Sequence, residues 1–344
     1  MNRPPEKRLP REAKKKMREN RTMRSSRNND PGSGFESPAF QALLEEAWKL
    51  SRSRHGNALA VHIPGMFVVD GRRGRYRAVS ITGGQCELDC EHCKGSLLRT
   101  MAHAPAPDDL LRLGRAAAAR GDHGMLVTGG CDPAGRLPWK SFLPVMERLR
   151  SETDLIITVH AGQTDPETAR ALKAAGVHQA LVDVMGDDAT AREVYHLAEG
   201  TASIRRTMES LADAELEIVP HILFGIHYGR EVGEENALEM LKDYPLRKYV
   251  VVVLMPTPGT PMGHVQPPRP EQVAAFIAKC RLELPDLAAS LGCARPRGRY
   301  RRRLDLLAVK AGVNAIAIPA DPALAEAGER GLEVMFHETC CSIG

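Results

Sequence analysis

Cys86, Cys90 and Cys93 stand in the segment Gly83-Gly84-Gln85-Cys86-Glu87-Leu88-Asp89-Cys90-Glu91-His92-Cys93-Lys94-Gly95, spaced by three residues and then two. Three soft thiolates this close together suit an iron–sulfur cluster or zinc. A cubane cluster has four irons, so three cysteines leave one iron open to an exchangeable ligand. A structural zinc site would call for a fourth protein ligand. His92 lies between Cys90 and Cys93, where it is poorly placed to share their metal. Iron and sulfide content would separate the two readings. The chain has five further cysteines. Cys280 sits in the helix-like stretch AAFIAKCRLEL, where a lone cysteine acts as a small buried hydrophobe. Cys131, Cys293 and the Cys340–Cys341 pair lie near strand ends or in the last residues.

The elements that must position these thiols follow from periodicity. Residues 38–54 read as an amphipathic helix. Strand-like runs follow at 75–81, 124–128, 154–160, 179–184, 216–223, 249–255, 287–292 and 314–318. Helix-period segments separate them, at 108–120, 141–150, 166–175, 201–214, 269–282 and 301–312. Eight strands alternating with helices predict a parallel α/β barrel, complete and eight-stranded. The expected organisation is a disordered basic arm (1–35), a helical and extended lead-in (36–74), the barrel (75–320), and a C-terminal helix with a cysteine-containing tail (321–344). Strand-end residues of such a barrel converge on one mouth. Cys131 and Cys293 should therefore share a cavity with the Cys86 loop, and the tail pair should fold over it, which makes Cys131, Cys293, Cys340 and Cys341 candidate ligands of a second iron–sulfur cluster, with isolated structural cysteines as the alternative.

Composition bounds the function classes. The chain has 344 residues, 43% apolar and 26% charged, with a net charge of +4 concentrated in the first thirty. The arm carries no aromatic motif for RNA, so nucleic acid is the disfavoured partner. No apolar run is long enough to cross a membrane, and no secretory signal is evident. A cytoplasmic location is expected, where eight cysteines serve as metal ligands or catalytic groups rather than a disulfide framework.

The Cys-x3-Cys-x2-Cys spacing after the first barrel strand resembles the radical S-adenosylmethionine (SAM) superfamily. The segments from Leu291 to Gly298 and Asn314 to Pro319 resemble the closing part of biotin synthase-type barrels. This resemblance, over about residues 75–320, implies a [4Fe–4S] cluster on Cys86, Cys90 and Cys93. SAM would sit on the open iron and be cleaved to a 5′-deoxyadenosyl radical. It further implies that His92 lies against the adenine and that Thr128, Gly129 and Gly130 take the place of the segment that holds the SAM amino group. Cys131 stands where the family has Glu. Asp183 would meet the ribose, Gly225 would let the chain approach the adenine, and Arg205 or Arg206 would meet the SAM carboxylate. Arg295 or Arg297 would be a polar or cluster contact. Within the group the chain looks most like one component of the two-protein lipoyl synthases. That implies sulfur insertion into an octanoyl chain on a carrier protein, with a reductase or ferredoxin as electron donor and a second radical SAM protein as partner. Rival readings are another radical SAM reaction such as cofactor maturation or methylation, a nucleic-acid-modifying enzyme, and a zinc-stabilised binding module.

Overall fold

The computed structural model describes residues 7–8, 37–69 and 71–343. The basic arm therefore lies outside the described residues, apart from Lys7 and Arg8, which pair antiparallel with Phe336 and Met335. Chain entry is set by local chemistry. Ser37 caps helix α1 (Pro38–His55) by accepting the Phe40 N–H, and Pro38 occupies the first turn, where no donor is needed.

All eight expected strands form, in the expected order. They are β2 (Tyr76–Ser80), β3 (Gly124–Thr128), β4 (Ile156–His160), β5 (Gln179–Val184), β6 (Glu217–Phe224), β7 (Lys248–Val253), β8 (Ala288–Leu291) and β9 (Ala315–Ala317). Each pairs parallel with the next. The expected complete eight-stranded barrel is not what they build. Two strands outside the expected barrel span, β1 (Ala58–His62) and β10 (Glu333–His337), continue the sheet beyond β9. The two-residue strand Ala102–His103 extends the other edge beyond β2. The result is one curled sheet with eleven parallel strands, in the order β10-β1-β9-β8-β7-β6-β5-β4-β3-β2 and then Ala102–His103. With two strands inserted between β9 and β2, those two cannot pair. The lead-in and the C-terminal segment are thus part of the sheet. Its ends touch through the Gly65 N–H to Tyr76 O (2.9 Å), the Arg75 N–H to Glu338 O (2.8 Å) and an Arg75–Glu338 ion pair, rather than through a ladder.

Alternation decides which residues see the inside. One parity (Val79, Val127, Val159, Val182, Ile218, Val251) packs outward in the main core. That core includes residues of helices such as α8 (Pro270–Glu283), where Cys280 is fully buried as expected. The other parity faces the lumen. There Leu181, Val219, Val250, Val252 and Ala317 surround Cys341. The tail does not fold over the mouth. It fills the lumen: the Lys248 Nζ donates to Ser342 O (3.3 Å), the Ser290 Oγ to Cys341 O (3.4 Å), and His62 Nδ1 bonds Thr339 Oγ1 (3.1 Å). Lys248 begins β7, so the tail reaches the end of the barrel opposite the mouth.

Candidate active site

The Cys86 loop leaves the C-terminal end of β2 and is held by two neighbours. The first is the turn after β3. The Cys131 carbonyl accepts the Glu87 N–H (2.8 Å) and the Leu88 N–H (3.2 Å). The Gly130 N–H donates to Thr82 Oγ1 (2.6 Å), whose hydroxyl in turn donates to Gln85 O (2.9 Å). A Cβ on Gly130 would fall 1.8 Å from Gln85 O and 2.6 Å from Cys86 Cβ, so only glycine lets the two backbones meet here. The second neighbour is the segment after helix α5 (Asp188–Glu193). Val194 O accepts the Glu91 N–H (2.9 Å), Tyr195 O lies 3.9 Å from Cys90 Sγ, and His196 Nδ1 bonds Leu88 O (2.8 Å). His92 packs on the Tyr195 ring at 4.9 Å between centroids, and its Nδ1 is buried without a partner.

Within the loop Cys93 is held below the ordinary thiol range by a hydrogen bond from Cys90. Cys90 is pushed up by the same bond and by burial. Such a pair readily yields a thiolate, as a cluster ligand requires. Among the described residues no three His, Cys, Asp or Glu side chains converge closely enough to share one metal ion. A cubane asks something different, because each cysteine takes its own iron. The donor set of three thiols on one loop, with an orphan imidazole nitrogen beside them, fits a [4Fe–4S] cluster held by Cys86, Cys90 and Cys93.

The other expected residues divide into groups. Thr128, Gly129 and Gly130 line the β3 end beside the loop, and Thr128 is buried. Asp183 faces the lumen, one carboxylate oxygen accepting from His160 Nε2 (3.1 Å) and the other from the Tyr195 hydroxyl (3.4 Å). Gly225 follows β6 with φ +73°, and Pro268 covers the place a Cβ would take. Arg205 does not reach the loop. It forms an exposed ion pair with Asp243, and Arg206 pairs with Glu199. Arg297 is exposed. Arg295 is fully buried and held by Asp305 and by the carbonyls of Gly292, Ala317 and Ile318.

The four cysteines expected to form one second site are split. Cys293, Cys340 and Cys341 gather in the lumen, where burial and then the Cys340 charge push the Cys293 thiol up to about 11. Cys340 is drawn down by a hydrogen bond from Cys341, and the Lys248 cation also acts on both. Cys131 lies instead with Cys86, Cys90 and Cys93. Burial and then the Cys86 charge raise its thiol to about 12.

Sequence reasoning named Asp183 but passed over the rest of the lumen's polar lining. His160, His221 and Lys248 share its inward parity, a signal present in the sequence had the alternation been followed strand by strand. Burial disfavours charge on His160. The Asp183 carboxylate beside it more than offsets this, so His160 titrates above the usual histidine range. His221, 6.1 Å away ring to ring, is lowered to about 4 by burial and then by the His160 charge. Histidine NMR titration should show one imidazole charging above pH 6.5 and its neighbour staying neutral to about pH 4. In Asp183→Asn the first should fall below 6.5, and an unmoved value would refute the pairing.

Residues 80–244 match the model of the Radical SAM superfamily. The chain carries a radical SAM domain. Biotin synthase from Cyanothece sp. is 26% identical over 250 residues, 70% of this chain and 66% of that protein. Biotin synthase from Clostridioides difficile is 25% identical over 212 residues, 59% and 63% of the two chains. The chain therefore spans just under two thirds of the length of these relatives. Among solved structures, methylornithine synthase (PylB) superposes with a TM-score of 0.56 over 83% of this chain and 80% of that one, at 16% identity, which shows a shared fold. Residues 80–244 thus carry the radical SAM domain, of the superfamily whose cofactors are a [4Fe–4S] cluster and SAM, and the chain is similar to biotin synthase. Among the described residues no helix is long and apolar enough to cross a membrane.

Proposed function

We propose that this enzyme inserts sulfur into an unactivated carbon of an octanoyl chain carried on a protein lysine, as one component of a lipoyl synthase. The observation that carries this reading is the gathering of Cys293, Cys340 and Cys341 inside the barrel by the tail. When bound, the SAM cluster supplies a carbon radical able to break a strong C–H bond, and a second cluster supplies sulfide. The chain's own contribution is placement. The hydrogen bond from Cys341 draws the Cys340 thiol down, with a smaller contribution from the Lys248 charge, while Cys341 is held well above the ordinary thiol range by the same bond and by burial. Leu126, Leu181, Leu223, Val219 and Val252 form the apolar wall against which these cysteines pack. His160, fixed by Asp183, holds a proton at the lumen wall. Thr128, Gly129, Gly130 and His92 serve SAM. The carrier, a reductase or ferredoxin donor and a second radical SAM protein complete the proposed set of partners, in the cytoplasm.

The test is anaerobic reconstitution with SAM and an octanoyl-lysyl peptide, read by mass spectrometry. Replacing Cys293, Cys340 and Cys341 together with Ser should lower iron from about eight to about four per chain. It should leave 5′-deoxyadenosine formation intact and abolish sulfur addition. An unchanged iron count would remove the second cluster and favour a radical SAM reaction without sulfur transfer.

A further inference from the structure

Three cysteines leave one iron of the first cluster without a protein ligand, yet four thiols occupy this corner of the fold. Cys131 is the fourth. Its backbone is fixed to the loop by the two hydrogen bonds from Glu87 and Leu88, at 2.8 and 3.2 Å. Gly130, the residue before it, is pressed against Cys86, so the two thiol-bearing backbones run side by side. Cys90 feels the charges of Cys93, Cys86 and Cys131 together, which places all four sulfurs in one electrostatic neighbourhood. Cys86 and Cys131 also line one open cavity of about 310 Å³, together with Leu137 and Trp139. Cys131 Sγ lies 3.6 Å from the Cβ position of Gly162, a residue without a side chain to shield it. The tail cysteines make no claim on it, since they gather with Cys293 in the lumen.

We propose that Cys131 caps the open iron of the first cluster when SAM is absent and is displaced when SAM binds. This rests on Cys86, Cys90 and Cys93 holding that cluster. The exchange involves no change of oxidation state. The bond from iron to Cys131 Sγ breaks and the released thiolate takes a proton from solvent, while the amino nitrogen and carboxylate of SAM bond to the same iron. A soft thiolate on a backbone already anchored to the loop is a strong competing ligand for iron. Capping protects the cluster from losing its most exposed iron, and SAM must overcome the cap in order to bind.

Two measurements on the full-length reconstituted protein test this, with Cys131→Ala and the more conservative Cys131→Ser. The first is the fraction of cluster converted to the three-iron form by ferricyanide, read by electron paramagnetic resonance. Without SAM the wild type should resist conversion, and both variants should convert several-fold more. A second cluster elsewhere contributes equally to all three and cancels. The second is SAM affinity by equilibrium dialysis. Losing a competing ligand should tighten binding, by about tenfold if the capped form outnumbers the open one ten to one. Equal conversion in wild type and both variants, or SAM binding that weakens on substitution, overturns the cap and makes Cys131 a SAM contact or a bystander. A wild-type protein that takes up no iron–sulfur cluster would remove the three-cysteine assignment together with the cap, a result plainly different from clusters that form and behave alike.

Discussion

Alanine at Cys86, Cys90 or Cys93 will reduce reductive SAM cleavage to background while the protein stays folded. The loss should be complete because each thiolate holds a separate iron, and a cubane with two protein ligands does not hold SAM in a defined place. The fold should survive because the loop is an appendage of the sheet: β2 and β3 pair through Tyr76–Ser80 and Gly124–Thr128 without it. Its anchors to Cys131, Val194 and His196 are backbone contacts, or contacts to backbone, that a shortened side chain leaves in place. Cys90 is the most buried of the three at 6% exposure, so its alanine variant should show the largest loss of stability, on the scale of a small core deletion. The measurement is 5′-deoxyadenosine formed under dithionite, with circular dichroism and iron content as controls. A triple alanine variant that still produced 5′-deoxyadenosine would refute the assignment of the cluster to this loop.

What could be read from the sequence is what depends on local pattern. The spacing of Cys86, Cys90 and Cys93 is a ligand pattern legible by itself, and eight strands were visible because each is a short β-branched or apolar run. β1 and β10 escaped because pairing, not pattern, makes them strands. Ala58-Leu-Ala-Val-His lies between β9 on one side and β10 on the other, and that pairing places it in the sheet. That pairing turns a complete eight-stranded barrel into an eleven-strand parallel sheet. The positions of Cys131 and of the tail were beyond reach for a related reason. Strand-end convergence predicts a shared mouth but not which neighbour a turn leans on, and the Gly130 close approach draws Cys131 toward the Cys86 loop. The tail's course depends on a vacancy that no local pattern shows. Several inward positions, such as Ala60, Ala78, Ala315 and Ala317, are small, which leaves room for Cys340 to Ile343 inside the barrel. Arg205 illustrates the opposite error, since an arginine in a suggestive place is satisfied on the surface by Asp243.

Replacing Arg295 with Ala should destabilise the protein by about 3–5 kcal/mol, because it strands the Asp305 carboxylate in the interior. Both side chains are 0% exposed, and the guanidinium meets the carboxylate through two bonds of 2.7 and 2.9 Å. The guanidinium also donates to Gly292 O at the end of β8 and to Ala317 and Ile318 O at the end of β9, so the pair clamps two neighbouring strand ends. Asp305 also accepts the Ala320 N–H at 2.9 Å, which ties in the chain leading to helix α10 (Asp321–Glu329). For a chain of this size that loss corresponds to a Tm lower by about 4–7 °C. Thermal unfolding of the anaerobically purified protein measures it, and a shift below about 1 °C would show that the clamp carries little. The double variant Arg295→Met with Asp305→Leu separates charge from position. It removes both buried charges, so stability should recover most of the loss. The polar contacts to the β8 and β9 ends would still be missing, and Cys293 lies two residues from Arg295 on the β8 end. If the clamp sets the place of Cys293 as well as the strength of the fold, the double variant should remain stable yet bind less iron at the lumen site, while the cluster on Cys86, Cys90 and Cys93 stays at wild-type occupancy.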